Sequence, residues 1–325
     1  LNKAAPRWRK LGKLFDPRDH KLPLGCQEFA QSPQVLINND AVRIYFSTRS
    51  VDQDSGKFLS QVCYVDFDAN FQTIQHVSNQ AVLPLGELGC FDEHGIFPLN
   101  VVRVGDRVYG YTCGWSRRHA VSVETGIGLA ISHDDGATFT RLGPGPVLSS
   151  SLHEPCLVGD GFVKFFAGRF HMWYIYGRPW KQFANSSEAE RIYKIAHATS
   201  DDGVQWTRSA IESLIDDSIG DDECQALPTV IENDGRYHMY FCYRYASDFR
   251  TNPDRGYRLG YAYSDDLASW TRDDANVGIH RSTDPTDWDH EMMCYPHVFR
   301  FQDKLYLLYN GNAFGRHGFG LAVAE

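Results

Sequence analysis

A short aromatic and basic phrase recurs along this chain, and its first copy stands where no unit precedes it. Arg7-Trp8-Arg9-Lys10-Leu11 reads like Thr138-Phe139-Thr140-Arg141-Leu142, Gln205-Trp206-Thr207-Arg208 and Ser269-Trp270-Thr271-Arg272. The later copies follow acidic turns, whereas the first has nothing before it. The chain ends on Gly318-Phe319-Gly320-Leu321-Ala322-Val323, the kind of small-residue strand that elsewhere precedes the phrase. A circular array whose last unit takes its outer strand from the N-terminus accounts for both ends, and it leaves no unpaired sheet edge between them.

A second ruler gives the unit length. Proline sits near the start of apolar strands at Pro33, Pro98, Pro228 and Pro296, and Phe162 takes that place in the third unit. The spacings are 65, 64, 66 and 68 residues. Each unit continues with an aromatic strand such as Phe170-His171-Met172-Trp173-Tyr174, a variable loop, a small-residue strand such as Ile127-Gly128-Leu129-Ala130-Ile131, and the phrase. Short period-two strands between turns predict an all-β chain. Four strands in each of five units predict a five-bladed β-propeller, its ring closed by the N-terminal strand. The expected organisation is one domain over 1–325, with blades near 26–80, 91–148, 154–215, 222–280, and 290–325 plus 6–14. Asp134-Asp135-Gly136 and Asp201-Asp202-Gly203 read as hairpin turns rather than metal loops.

Composition bears on partners. A net charge of -9 argues against nucleic acid or a membrane surface as partner. No apolar run is long enough to span a bilayer, and the first twenty residues lack a signal-peptide core, so a cytoplasmic location is expected. The eight scattered cysteines never form a CxxC and read as buried free thiols.

Propeller topology brings residues just before each first strand onto one rim with residues just after each second strand. Glu28, Glu93, Glu223 and Glu291 each stand five positions before an alignment proline, flanked by Asp92, His94 and His290. Four carboxylates in one register would repel, raise at least one pKa and supply a general acid and base. Glu93 with Glu223 or Glu291 is the expected catalytic pair, tuned by Asp92 and His94. The second strands end on Arg49, Trp115, Arg178, Arg244 and Asn310-Gly311-Asn312. With Glu28, His94 and His290 these are expected to bind a glycan or sugar-derived ligand of polyhydroxylated, anionic character. No cofactor is expected. A central metal on His94, Glu93, Glu223 and Glu291 has no tight ligand spacing behind it. Loops 178–192 and 246–258 are expected to set specificity.

The phrases Leu129-Ala130-Ile131-Ser132-His133-Asp134-Asp135-Gly136 and Ala198-Thr199-Ser200-Asp201-Asp202-Gly203-Val204-Gln205-Trp206 resemble those of the five-bladed propeller glycosidases. Those are glycoside hydrolase families 43, 32 and 68 and the family 130 mannoside phosphorylases. Phe91-Asp92-Glu93-His94-Gly95-Ile96-Phe97-Pro98 and Trp288-Asp289-His290-Glu291-Met292-Met293-Cys294-Tyr295-Pro296 are similar to a narrower group of bacterial glycosidase-like proteins from polysaccharide clusters. The resemblance implies a glycoside hydrolase using paired carboxylates. Glycosyl transfer or phosphorolysis with a sugar phosphate or nucleotide sugar, and glycan binding without turnover, are the alternatives. Family 43 enzymes carry Asp directly before the first-strand proline in two blades. This chain has Ser32, Phe97, Leu227 and Tyr295 there, so that triad does not carry over.

Overall fold

The structure is a computed structural model that describes residues 4–210 and 213–325. Positions 211 and 212, inside the expected 154–215 unit, lie outside the described residues. Strand β1 (Trp8–Phe15) opens the chain and β2 (Gln31–Asn38), β3 (Ala41–Val51), β4 (Phe58–Phe67) and β5 (Ile74–Val77) follow. The second group is β6 (Gly95–Val104), β7 (Arg107–Arg117), β8 (Val123–Ser132) and β9 (Thr140–Arg141). The third is β10 (Cys156–Phe166), β11 (Arg169–Lys181), β12 (Glu190–Ser200) and β13 (Thr207–Arg208). The fourth is β14 (Cys224–Asn233), β15 (Arg236–Arg244), β16 (Arg258–Ser264) and β17 (Thr271–Arg272). Strands β18 (Cys294–Phe301), β19 (Lys304–Asn310) and β20 (Phe319–Ala324) end the chain.

Each group is an antiparallel meander, and the first two are joined by one bridge between Ser60 and Gly95. Strand β1 pairs with β20, Trp8 opposite Ala324 and Phe15 opposite Phe319, so the chain's first strand is the outer strand of its last sheet. The Asp-Gly segments are turns: Gly136 and Gly203 have φ of 79° and 75°, and the Asp134 and Asp202 carboxylates accept backbone N–H groups within the turn.

Packing explains why the phrase recurs. Its aromatic residue lies edge-on to a second-strand aromatic of the preceding sheet. The pairs are Phe139 with Tyr45, Trp206 with Tyr111, Trp270 with Trp173 and Trp8 with Tyr240, centroids 5.5–6.0 Å apart. Such contacts contribute about 0.5–1.5 kcal/mol each beyond their buried area. The phrase's basic residue ties its own sheet. Arg141 donates to Asp92, Arg208 to Glu154, Arg272 to Glu223 and Lys10 to Asp289, at 2.5–2.9 Å. Each acid belongs to the loop entering the inner strand, so one ion pair fastens that loop to the sheet's outer edge.

Hydrogen bonds also run between the inner strands. Asn100 donates to Gln34 and accepts from Val163 N–H, and Leu227 N–H reaches Asp160. Val298 N–H donates to Thr229, and Val35 N–H to His297, which connects β18 back to β2. All eight cysteines are free, seven of them buried. No helix among the described residues is long and apolar enough to cross a membrane.

The ties differ in burial, and stability should follow. Arg272→Ala leaves the Glu223 carboxylate, 1% exposed, without its cation, and is expected to cost about 3–5 kcal/mol. Arg9→Ala breaks an exposed pair with Glu325 and should cost under about 1 kcal/mol. Urea unfolding of both variants checks this, and equal losses would remove the distinction.

Candidate active site

Every inner strand carries the same irregularity. The ladder skips two residues between Gln31 and Gln34, Ile96 and Leu99, Gly159 and Phe162, Ala226 and Thr229, and Cys294 and His297. The first skipped residue is Ser32, Phe97, Asp160, Leu227 or Tyr295, and all but Phe97 adopt φ of 48–55°. A bulge of this kind re-aims a side chain out of the sheet's alternation. Phe97, Asp160, Leu227 and Tyr295, with Gln31 from the first sheet, line a central cavity of 380 Å³.

Residue Asp160 corrects the third-unit alignment. The bulge register puts Gly161, not Phe162, in the place of proline, and the spacings become 65, 63, 67 and 68. The position before the proline therefore holds an acid in one sheet. A turn-forming Asp-Gly pair at 160–161, two residues before Phe162, was the signal available in the sequence.

This carboxylate is the only one lining the cavity among the described residues. Burial pushes its pKa up to about 7, against the opposing pull of Leu227 N–H, the Cys113 thiol and Arg191. Gly159 lets Cys113 approach, since a Cβ there would meet its sulfur at 2.6 Å. A carboxyl half protonated near neutrality is poised to give a proton to a departing oxygen.

Four arginines share the wall: Arg49, Arg191, Arg244 and Arg250. Arg244 is buried, donates to Tyr193 Oη at 2.9 Å and to the Tyr245 carbonyl at 2.8 Å, and lies 3.5 Å from the Phe249 ring centre. The hydroxyls of Tyr193 and Tyr257 are hydrogen-bonded to each other beneath it. Burial pushes the Tyr193 phenol up to about 12, which keeps it protonated at neutral pH. Arg250 is paired with Glu190 at 2.9 Å. Segments 178–192 and 246–258 supply Arg191, Phe249, Arg250 and Tyr257 to this wall.

Of the residues expected at the site, Arg49, Trp115 and Arg244 line the cavity. The expected carboxylate ring does not form there. Asp92 and Glu223 are buried in ties to Arg141 and Arg272, where a cation already compensates them. Glu28 pairs with Arg316 at 2.8 Å, Glu93 accepts from Gly89 N–H at 2.9 Å, and Glu291 is exposed. Asp92, Glu223, Glu28 and Glu93 are each taken up by a partner that is not part of the cavity wall. His94 stacks beside Trp115, and burial with Arg117 nearby lowers its pKa. Arg178 is exposed and outside the cavity. His290 lies in a separate 620 Å³ groove, bonded to the Ser282 carbonyl. Asn310 is a buried staple, accepting from Ser32 N–H and donating to the Ala30 and Gly318 carbonyls. Asn312 fixes the 287–291 loop through Glu291 N–H and the Asp287 carbonyl. Among the described residues no three His, Cys, Asp or Glu side chains converge as a metal site, so His94, Glu93, Glu223 and Glu291 do not form the centre considered above.

No family model matches the chain. Two Mycobacterium tuberculosis relatives, the uncharacterized proteins MT1551 (strain CDC 1551 / Oshkosh) and Rv1502 (strain ATCC 25618 / H37Rv), are 33% identical over 319 residues, or 98% of this chain and 99% of each relative. Among solved structures, the chain superposes on a complex of BT0996 with RGII, with a TM-score of 0.72 and 16% identity, covering 99% of this chain and 93% of that one. A glycoside hydrolase gives 0.73 at 16% identity with the same coverage. A member of the GH130 family of mannoside phosphorylases gives 0.69 at 13% identity, covering 99% and 95%. The fold is an all-β propeller of the glycosidase-like kind.

The Asp160 carboxyl holds its proton more tightly folded than unfolded. Its contribution to stability is complete below the unfolded value of 3.8 and is lost as pH rises through about 7. The loss is at most about 4 kcal/mol. Asp160→Asn is therefore expected to melt higher than the parent at pH 8 and close to it at pH 4. Thermal unfolding across pH measures this, and a gap independent of pH would contradict the buried acid.

Proposed function

We propose that this chain, which belongs to the family of the mycobacterial proteins MT1551 and Rv1502, is a carbohydrate-active enzyme that cleaves or transfers a glycosyl group in its central funnel. The five sheets act as blades of one closed ring over residues 1–325, a reading supported by the bonds from β18 back to β2 and by the β1–β20 pair. The reading is carried by one observation: among the described residues a single carboxyl, that of Asp160, lines the cavity, and burial pushes its pKa up to about 7.

In that reading the substrate's aglycone oxygen approaches Asp160. The carboxyl donates its proton to the departing oxygen as the glycosidic bond breaks, the oxygen of water or of another hydroxyl bonds to the anomeric carbon, and the proton it gives up returns to the Asp160 carboxylate. The aromatic wall of Trp115, Phe97, Tyr257 and Tyr295 offers faces for sugar rings. The paired-carboxylate arrangement has no second member in the cavity wall among the described residues, so Glu93, Glu223 and Glu291 are not assigned as nucleophile or base. The arginines favour a second reading, transfer to or from phosphate, because guanidinium groups take phosphate oxygens two at a time. Phosphate-dependent turnover distinguishes that reading from hydrolysis.

Asp160→Asn is expected to lower the rate on any cleaved or transferred glycan by about 10²- to 10⁴-fold. The parent's rate should fall above about pH 7 as the acid ionises, and the variant should lose that limb. Glu93→Gln should stay within a few-fold of the parent. Full activity in Asp160→Asn, measured by product release, would end this assignment.

A further inference from the structure

The cavity wall holds more positive charge than it answers. Arg250 has Glu190, but Arg49, Arg191 and Arg244 have no carboxylate partner among the described residues. Arg244, 2% exposed, leaves its Nε without a hydrogen-bond partner, and so does Arg191. Among the described residues Arg191 makes one side-chain bond, from Nη2 to Ser122 Oγ at 3.0 Å. Arg49 donates no side-chain hydrogen bond among the described residues and rests on Phe29, 4.0 Å from the ring centre, with Phe58 at 5.4 Å. The contrast with Arg141, Arg208 and Arg272 is sharp, since each of those is bonded to a carboxylate. Burial and the nearby Arg244 and Arg250 charges hold the Arg191 guanidinium below its usual pKa, while burial does the same to Arg49. A buried guanidinium without an anion is costly, and its fixed fork of donors suits the paired oxygens of an oxyanion better than scattered hydroxyls.

We propose that the funnel selects a sugar bearing an oxyanion, a carboxylate, sulfate or phosphate, seated against Arg191 and Arg244 with Arg49 adding a third guanidinium from the first sheet. This rests on the reading above that a sugar occupies the funnel, and it adds the charge class of that sugar. Phe249 under Arg244 fixes the plane of the guanidinium, so the donors are oriented before the ligand arrives. The Asp160 carboxyl shares the cavity, and its neutral form spares the bound anion a like charge.

Calorimetry on Asp160→Asn measures binding apart from turnover. The probes are glucuronate, glucose 6-sulfate, glucose 6-phosphate, glucose and inorganic phosphate at low ionic strength. At least one anionic sugar should bind about 10-fold or more tightly than glucose, and which one separates carboxylate, sulfate and phosphate. Arg49→Gln and Arg191→Gln, on half-buried side chains, should each weaken that probe about 10-fold while melting like the parent, and added salt should weaken it further. Glucose binding as well as every anionic sugar, arginine variants without effect, no binding by any sugar, or inorganic phosphate matching glucose 6-phosphate would each overturn the proposal. Anion-selective binding with an unaffected Asp160→Asn turnover would sink the acid assignment alone. Turnover of neutral glycans without anion preference would sink this one alone.

Discussion

The inner-strand bulge, left-handed at every position but Phe97, re-aims one side chain out of the sheet's alternation, and in four of the five sheets that side chain lines the cavity. The ladder resumes two residues later, which leaves the strand free to carry the hydrogen bonds that reach the next sheet. Leu227 shows both duties at once: its backbone N–H reaches Asp160, and its side chain lines the cavity. The position is fixed by backbone geometry and the residue occupying it is not. Serine, phenylalanine, aspartate, leucine and tyrosine all stand there in one chain.

Charge is divided between two tasks, one in the loops that enter the inner strands and one in the cavity wall. Acids in the loops entering the inner strands meet the arginine or lysine of the outer strand and are neutralised within their own sheet. Asp160, placed on the bulge rather than in the loop, escapes the tie and is left to burial. Among the described residues, Arg49, Arg191 and Arg244 of the cavity wall have no carboxylate partner.

The meander, the repeat length and the exchange of the N-terminal strand were legible because each depends on local patterning or on a repeated phrase. The phrase recurs because its aromatic and basic residues each meet the same partner in successive sheets, which makes it visible without coordinates. The site was less legible. Glu28, Glu93, Glu223 and Glu291 share a sequence register but not a direction, since loops have no pleat to set where a side chain points. Arg49, Trp115 and Arg244 line the cavity from the second strands, whose ends the repeat made readable. Asp160 was missed by one residue of alignment in the unit that lacks proline. Arg191 opens a third strand after a long loop and leaves no periodic trace.

A scaffold of this kind tolerates replacement of its lining because what holds it together lies elsewhere. The aromatic contacts between sheets and the ion-pair ties sit toward the outer strands, and the inter-strand bonds of the inner ring mostly use backbone N–H donors or neutral side chains. Changing a bulge residue alters the wall without breaking any of these except where the side chain itself accepts, as Asp160 does from Leu227. Structural likeness at 13–16% identity across nearly the whole chain is what such separation allows. It follows that the wall can change from one such chain to another while the sheets around it still superpose.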